Sequence, residues 1–231
     1  MTAQFVASHS IIQVDARSAT ARRVLTDAHA MHDTVMSGFR SWAEDGSKDP
    51  RAQVGVLSTW SADLKERRLL LVVQSAVMPD WSGLTGRDLL APVKVQTIDT
   101  TIREGDTYTF RTVVSAHGLR KDVKTGQVRR LPHTTPHHVR EWFLRRLQPE
   151  PAPAIQRAPF LGITTDHEKL AVRALPPVIA TTKHEGLNLP RHEIRGTLTV
   201  THPEAFATAL TDGIGRGRAY SCGLILIRPS A

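Results

Sequence analysis

The sequence predicts an α+β fold built from two similar halves in tandem. Segments with the two-residue period of strands alternate with amphipathic helical segments in the order β-α-β-β-α-β, and this order begins again after residue 104. A chain of 231 residues is long enough for two small domains that each bury a core. Because β-α-β-β-α-β is the ferredoxin-like pattern, we expect two ferredoxin-like domains, residues 1–104 and 105–231.

The first half opens with a strand and a helix. Alternating apolar residues in "FVASHSIIQV" predict a strand that ends near Val14. The stretch "TDAHAMHDTVMSGFRSW" predicts a helix, with Thr26 or Asp27 as its N-cap. Four large side chains at helical spacing form its apolar face: Met31, Val35, Phe39 and Trp42.

The rest of the first half is predicted as a hairpin, a short helix and a strand. The segments "VGVLSTW" and "RLLLVVQSAV" are typical of strands, and the polar turn "SADLKER" joins them. A helical piece around "LTGRDLL" and a strand at "VKVQTIDTTI" complete the six-element order.

The second half repeats the order around a proline-rich connector, "QPEPAPAIQRAP". A strand at "YTFRTVVSAH" precedes a helix at "TPHHVREWFLRRLQ", and a strand at "RGTLTVTH" follows the connector. The segment "PEAFATALTDG" predicts a helix that starts at Pro203 and ends at Gly213. "YSCGLILI" is the last predicted strand.

Composition narrows the class of partner. The formal net charge of +8 and the pI of about 10.2 favour a polyanion, either nucleic acid or an anionic membrane. No run of roughly 20 apolar residues is present to span a membrane, and the N-terminus does not have the pattern of a signal peptide. The single Cys222 excludes an intramolecular disulfide and a Cys-based zinc site. We therefore expect a cytoplasmic protein that has no membrane partner.

Basic residues concentrate between residues 120 and 146. This segment holds eight of them against two acids: Arg120, Lys121, Lys124, Arg129, Arg130, Arg140, Arg145 and Arg146 against Asp122 and Glu141. Within it, "LRKDVKTGQVRRLP" predicts a polar hairpin that turns at "KTGQ". Such an arm suits phosphate contacts along the groove of a duplex, although a solvated loop is the alternative.

Histidines are the candidates for acid–base chemistry. In "HTTPHH", Pro136 interrupts any helix that would join His133 to His137, so we expect no metal site there, and no cofactor. His29 and His32 lie one helical turn apart, at the border of the apolar face of the first helix. An imidazole near pH 7 suits proton transfer from a ribose 2′-hydroxyl or to a leaving 5′-oxygen, but such a pair is also compatible with an inert surface.

The stretch "DGIGRGRAYSCGLILI" places Gly213, Gly215 and Gly217 at alternate positions, with Arg216 and Arg218 beside them. It is not a dinucleotide-binding G-x-G-x-x-G motif, because Arg218 stands at the third glycine position and a strand follows. Bare backbone amides beside guanidinium groups predict a phosphate-binding turn. The arginines either contact the anion or brace the two halves. We expect the chemistry to lie elsewhere, on the first helix.

Four segments together resemble one family. "AHAMHDTVMSGF", "LLVVQSAVMPDWS", "YTFRTVVSA" and "GIGRGRAYSCGLILI" occur in the order and spacing of the type I-E CRISPR-associated endoribonucleases, the CasE subunits of Cascade. The resemblance spans nearly the whole chain. It implies a tandem ferredoxin-like fold of the RAMP superfamily that binds the stem-loop of a CRISPR repeat.

The resemblance also implies an activity. Members of the family cut precursor CRISPR RNA at the 3′ base of the stem without a metal, leaving 5′-hydroxyl and 2′,3′-cyclic phosphate ends. They then stay bound to the mature crRNA beside the other Cascade subunits. A non-catalytic RNA-binding RAMP subunit and a small-molecule enzyme that holds a nucleotide in the glycine loop are the alternatives.

Site residues follow from matching the family's motifs to this sequence. The catalytic histidine of the first helix matches His32, and the tyrosine that precedes it in the family is His29 here. The second catalytic group is therefore His29, a different side chain, or a group that only positions the substrate. The family's basic hairpin matches "RKDVKTGQVRRLP", which makes four residues candidates for the groove of the stem: Lys121, Lys124, Arg129 and Arg130.

Overall fold

The structure, a computed structural model, describes residues 1–42, 49–63, 65–84, 86–121, 126–147, 160–180 and 186–230. These residues form eleven strands and five α-helices. The strands are β1 Thr2–Asp15, β2 Leu57–Asp63, β3 Arg68–Ser75, β4 Lys94–Arg103, β5 Thr107–Val114, β6 His117–Lys121, β7 Val128–Pro132, β8 Ile163–Thr165, β9 Ala171–Ile179, β10 Asn188–Val200 and β11 Ile225–Pro229. The helices are α1 Ala19–Thr26, α2 Ala28–Met36, α3 Pro50–Gln53, α4 Pro136–Leu144 and α5 Pro203–Asp212.

Two antiparallel sheets share one strand order. The first sheet runs β4-β1-β3-β2, and the second runs β11-β5-β10, with β9 and β8 both paired to β10. In each half the fourth strand of the motif therefore lies beside the first, and the third lies between the first and the second. This arrangement confirms the predicted α+β fold of two ferredoxin-like halves. Strands β6 and β7 pair separately, as the predicted basic hairpin.

The helix predicted to start at Thr26 or Asp27 begins as α2, and a further helix, α1, precedes it and meets it at Asp27. The hydroxyl of Ser18 accepts a hydrogen bond from the backbone N–H of Ala21 and caps α1. Asp27 has extended backbone angles that end α1, and its carboxylate accepts from the N–H of His29 to cap α2. Asp27 therefore fixes where the first turn of α2 begins.

The apolar face of α2 packs into the first core, with one exception. Met31, Val35 and Phe39 are buried against β1 and β3, as predicted. The prediction for Trp42 is wrong, because its side chain is 51% exposed and its indole N–H donates to the carbonyl oxygen of Met78. That hydrogen bond holds the ring outside the core.

The helical piece predicted around "LTGRDLL" is also wrong, because the described residues there form turns. The backbone N–H of Leu90 donates to Gln13, and Leu89 forms a bridge with Val14, so this segment pairs with β1. Glycines at 83 and 86 weaken the helical alternative. Leu84 and Leu89 still pack against the first core, which is why the leucine spacing resembled a helix.

Strand β1 serves two cores and ties the halves together. Ile12 and Val14 lie in the first core, whereas Phe5 and Ala7 lie in the second, which is built around α4 and α5. The side chain of Gln74 also donates to the carbonyl oxygen of Leu210 at the end of α5, over 2.8 Å. The division at residue 104 stays a prediction, since the second core contains residues from both sides of it.

None of the helices in the described ranges has the length and apolar character that crossing a membrane requires.

Candidate active site and nucleic-acid interface

Helix α2 presents His29 and His32 on one face. They lie three residues apart, so their side chains project from successive turns of the helix. Both side chains are half-buried, which leaves each ring partly open to solvent. Burial of Met31 and Val35 fixes the rotation of the helix and hence the direction in which the two imidazoles point.

His32 is held as a neutral base at pH 7. Burial lowers its pKa below the ordinary 6.5, and the nearby positive charges of Arg51 and His29 act in the same direction. A hydrogen bond from its ring to the backbone carbonyl of Ala219 and the negative charge of Asp33 oppose this shift only in part. The bond to Ala219 shows that α2 contacts the Gly/Arg loop, residues 213–223.

Tyr220 of the Gly/Arg loop lies against both histidines. Its ring is perpendicular to the ring of His29, with centroids 5.7 Å apart, and it lies 6.4 Å from the ring of His32. The candidate histidines and the Gly/Arg loop therefore meet, and the expectation that the chemistry lies on the first helix stays a prediction. We call the group of His29, His32 and Tyr220 the imidazole site. Sequence reasoning missed Tyr220, since no local pattern marks a contact between the two ends of the chain.

The backbone around Tyr220 is tightly specified. Gly217 and Ser221 flank the short 3₁₀ turn Arg218–Tyr220, and both have left-handed backbone angles. The N–H of Tyr220 donates to the carbonyl of Gly217 over 2.8 Å. The hydroxyl of Ser221 is hydrogen-bonded to that of Ser58 on β2, over 2.9 Å. These bonds fix the Tyr220 ring beside α2.

The three predicted loop glycines all have positive φ. Gly213 ends α5, as predicted, with φ of 70°. A Cβ there would lie 2.8 Å from the carbonyl oxygen of Gly223, so the site has no room for a side chain. The N–H of Gly213 already donates to Ala209, which leaves Gly215 and Gly217 as the glycine amides for the predicted phosphate contact.

Arg216 and Arg218 differ in their surroundings. The backbone N–H of Arg216 bonds to Ser115 on the second sheet, and its side chain is exposed. Arg218 is half-buried, and its Nε atom is buried with no hydrogen-bond partner among the described residues. Neither guanidinium forms an ion pair within the described part of the chain. A buried donor of this kind calls for an acceptor from outside the chain.

A cavity of about 550 Å³ lies beside the Gly/Arg loop, with Arg218 among its lining residues. The hairpin β6–β7, helices α4 and α5, and the Gly/Arg loop surround it. Its charged and titratable lining consists of five arginines and two histidines against one acid: Arg130, Arg145, Arg146, Arg216, Arg218, His117 and His133 against Asp212. We call it the basic cavity. Its size suits a nucleotide-sized ligand.

Burial and positive charge in the basic cavity lower the pKa of side chains that line it. Burial is the largest cause that lowers the pKa of His133, and the charges of Arg145 and Arg146 add to it. Burial also lowers the pKa of Arg146 to about 10. The Arg146 guanidinium lies 3.6 Å from the centroid of the Trp142 ring, which supports it in the absence of a carboxylate. Sequence reasoning placed Arg146 in a basic segment but not in a cavity.

The predicted hairpin residues divide between the two faces of β6–β7. Lys121 lies opposite Val128, and Arg130 lies on the same face, toward the basic cavity. Arg129 lies on the other face, directly opposite Arg120. Like charges that face each other across two strands repel, so an anion between them would stabilise the hairpin. Lys124, the remaining predicted contact, lies outside the described residues.

The described residues contain no group of three or more His, Cys, Asp or Glu that could hold a metal ion. The histidines of "HTTPHH" lie beside one another, with the tilted rings of His133 and His138 at 6.0 Å.

Fold and site together define a protein class with two ferredoxin-like halves, a basic hairpin and a glycine-rich loop. The chain belongs to the CRISPR associated protein family, whose model matches residues 9–229. The family expected from the sequence is thus confirmed. No curated protein sequence matches the chain.

Solved structures share the fold over the full chain. Thermus thermophilus Cse3, bound to an RNA representing a pre-cleavage complex, is 20% identical with a TM-score of 0.72, over 97% of this chain and 100% of that chain. Escherichia coli K-12 Cas6e is 16% identical with a TM-score of 0.67, over the same shares. A chain of a CRISPR RNA-guided surveillance complex is 19% identical with a TM-score of 0.63, again over 97% and 100%.

Proposed function

We propose that this protein is an endoribonuclease that binds the stem-loop of a CRISPR repeat and cuts precursor crRNA at the 3′ base of the stem. It needs no metal, leaves 5′-hydroxyl and 2′,3′-cyclic phosphate ends, and stays bound to the mature crRNA beside the other Cascade subunits. The observation that carries this proposal is that a neutral, half-buried His32 is hydrogen-bonded to Ala219 of the Gly/Arg loop. The preceding residue, Arg218, lines the basic cavity.

Structures of related fold support the RNA partner. Cse3 has been solved bound to a 19-nucleotide RNA, and another chain of this fold belongs to an RNA-guided surveillance complex. The charge of this chain supports the same partner, because Arg130, Arg216 and Arg218 converge on one cavity and form no ion pair within the described residues. A duplex stem is read through its phosphates and shape, which such a surface provides.

The chemistry follows from the protonation of His32. The ribose 2′-oxygen attacks the adjacent phosphorus, so that the O2′–P bond forms as the P–O5′ bond breaks. Neutral His32 accepts the 2′ proton as general base. His29, one turn away, donates a proton to the 5′-oxygen as general acid. The products carry a 2′,3′-cyclic phosphate and a 5′-hydroxyl, and no water is consumed.

Positive charge near His32 lowers the energy of the pentacoordinate phosphate. Arg51 of α3 lies close enough to lower the pKa of His32, and its guanidinium donates to the carbonyl of Val56 over 2.9 Å. The Arg51 guanidinium would partly neutralise a phosphate beside His32 without a metal ion.

Incubation with a labelled repeat stem-loop in EDTA tests the proposal. We expect a single cut at the 3′ base of the stem and a 2′,3′-cyclic phosphate end, identified by mass spectrometry. A stem-loop with a 2′-deoxyribose before the scissile phosphate should bind equally well and remain uncut. Binding without cleavage of the all-ribose RNA would favour the non-catalytic RAMP subunit, and a requirement for divalent metal would contradict the mechanism.

A further inference from the structure

The imidazole site contains a third polar side chain, Tyr220, which acid–base catalysis by the two histidines does not require. We propose that Tyr220 is a third catalytic residue of the cleavage reaction, whose phenol donates a hydrogen bond to a non-bridging oxygen of the scissile phosphate. The inference rests on the proposed function and assigns a residue to it that neither helical spacing nor the glycine pattern indicates.

The position of Tyr220 supports the inference. The Tyr220 ring contacts both imidazoles, at 5.7 Å from His29 and 6.4 Å from His32. A phosphate that reaches both histidines therefore lies within reach of the phenol as well. Tyr220 is half-buried, like the two histidines, so part of the residue is open to solvent.

The protonation of the Tyr220 phenol also supports the inference. Burial raises the pKa of Tyr220 above its ordinary 10.0, and the negative charge of the buried Asp27 adds to the effect. The phenol therefore keeps its proton wherever His32 is an active base. A neutral phenol is a hydrogen-bond donor, whereas a neutral imidazole that acts as the base must offer its lone pair.

Rigidity is the third argument. Ser221, directly after Tyr220, is a non-glycine residue with φ of 57°, a strained conformation that persists only where its surroundings enforce it. The hydroxyl bond to Ser58 and the completely buried position of Ser221 enforce it here. A donor fixed before the substrate arrives stabilises developing charge without reorganising.

The hydrogen bond changes no proton count. As the O2′–P bond forms, negative charge accumulates on the non-bridging oxygens, and the phenol O–H strengthens its bond to one of them. The 2′ proton passes to His32, His29 protonates the departing 5′-oxygen, and Tyr220 retains its own proton.

Tyrosine-to-phenylalanine variants test the inference, because the chain has two tyrosines. Tyr220→Phe keeps the ring that packs against α2 and removes only the hydroxyl. Tyr108→Phe is the matched control, since its hydroxyl bonds to Asp106 on the second half. We expect Tyr220→Phe to lower the single-turnover cleavage rate about 10²-fold. Its Kd for the 2′-deoxy stem-loop and its Tm should equal those of the wild type.

Sulfur substitution at the scissile phosphate gives a readout that packing alone would not change. One diastereomer of a non-bridging phosphorothioate should slow the wild type, and this penalty should shrink in Tyr220→Phe. A Tyr220→Phe variant that cuts at the wild-type rate would overturn the inference, as would a loss explained entirely by weaker RNA binding. If the wild type makes no product, the proposed function fails and this inference fails with it; if only Tyr220→Phe is indistinguishable from wild type, the inference alone fails.

Discussion

The imidazole site and the basic cavity share the Gly/Arg loop but differ in what controls their charge. In the imidazole site, burial, more than charge, shifts the pKa of His32 and of Tyr220. The basic cavity concentrates permanent guanidinium charge and has Asp212 as its one acidic lining residue. One region is suited to moving protons, and the other to holding phosphates.

The difference shows why one loop can serve both regions. The backbone of the Gly/Arg loop has positive φ at Gly213, Gly215 and Gly217. Arg218 faces the basic cavity, and Tyr220, two residues later, faces α2. Binding and chemistry are thus separable by mutation on a single short segment.

His32→Ala should separate the two regions most sharply. Loss of a general base typically costs about 10²–10⁴-fold, so we expect the cleavage rate to fall by that factor while RNA affinity is unchanged. Quench-flow cleavage and filter binding measure the two effects. His167→Ala, at an exposed position away from both sites, is the control. If affinity fell as much as rate, His32 would have a structural role.

The pH dependence of the wild type identifies the role of His32. Its pKa is lowered from 6.5, so as a general base it is neutral above that lowered pKa and becomes protonated as the pH falls through it. We therefore expect kcat/KM to decline on the acid side with a midpoint below 6.5, and separately on the alkaline side as His29, the general acid, loses its proton. A decline on the alkaline side with that midpoint would make His32 the general acid.

Arg218→Gln should have the complementary effect. Removing a guanidinium that bonds a phosphate should weaken RNA affinity about 10–100-fold, because charged hydrogen bonds contribute about 1.5–3 kcal/mol. The slope of log K against log salt should fall by about one phosphate contact. Arg228→Gln, an exposed arginine outside the basic cavity, is the control. An unchanged salt slope would mean that Arg218 braces the halves instead of binding RNA.

Much of the fold could be predicted from periodicity, and the errors have physical causes. The strands could be predicted because alternation of apolar and polar residues marks each of them locally. Helix α1 was missed because it is two turns long and buries only Ala21 and Val24, too few to produce a clear apolar face. The helix predicted at "LTGRDLL" failed because backbone pairing with β1 took precedence over weak local propensity.

The candidate site could be predicted only where its residues are neighbours along the chain. The spacing of His29 and His32 on one helix is a local property, and so is the glycine pattern of the loop. The position of Tyr220 beside His29 depends on how distant elements pack. The stacking of Arg146 on Trp142 depends on which way a partly buried side chain turns. Neither leaves a signal in residue spacing.

Gly213→Ala should affect both regions at once, through the fold. A Cβ at φ of 70° is strained and would meet the carbonyl oxygen of Gly223 at 2.8 Å. We expect a loss of about 1–3 kcal/mol in the free energy of unfolding and a lower Tm, with cleavage and binding reduced together. Gly105→Ala, also at positive φ but with nothing within 4 Å, isolates the cost of backbone strain. Equal Tm values for the two variants would show that the contact with Gly223 is unimportant.

The smallest expected effect is proton uptake by the basic cavity when RNA binds. In the free protein, burial and the charges of Arg145 and Arg146 lower the pKa of His133 below 6.5. An adjacent phosphate favours the imidazolium and raises that pKa, so affinity should increase as the pH falls through the interval between the free and bound values. We expect a threefold to tenfold gain in affinity for the uncut 2′-deoxy stem-loop between about pH 7.5 and 5.5, since one pKa unit corresponds to about tenfold. The gain should shrink in His133→Gln and persist in His167→Gln. If the pH dependence of RNA affinity were the same in all three proteins, the RNA phosphates would lie outside the basic cavity. The protein would then need another anion site to bind them.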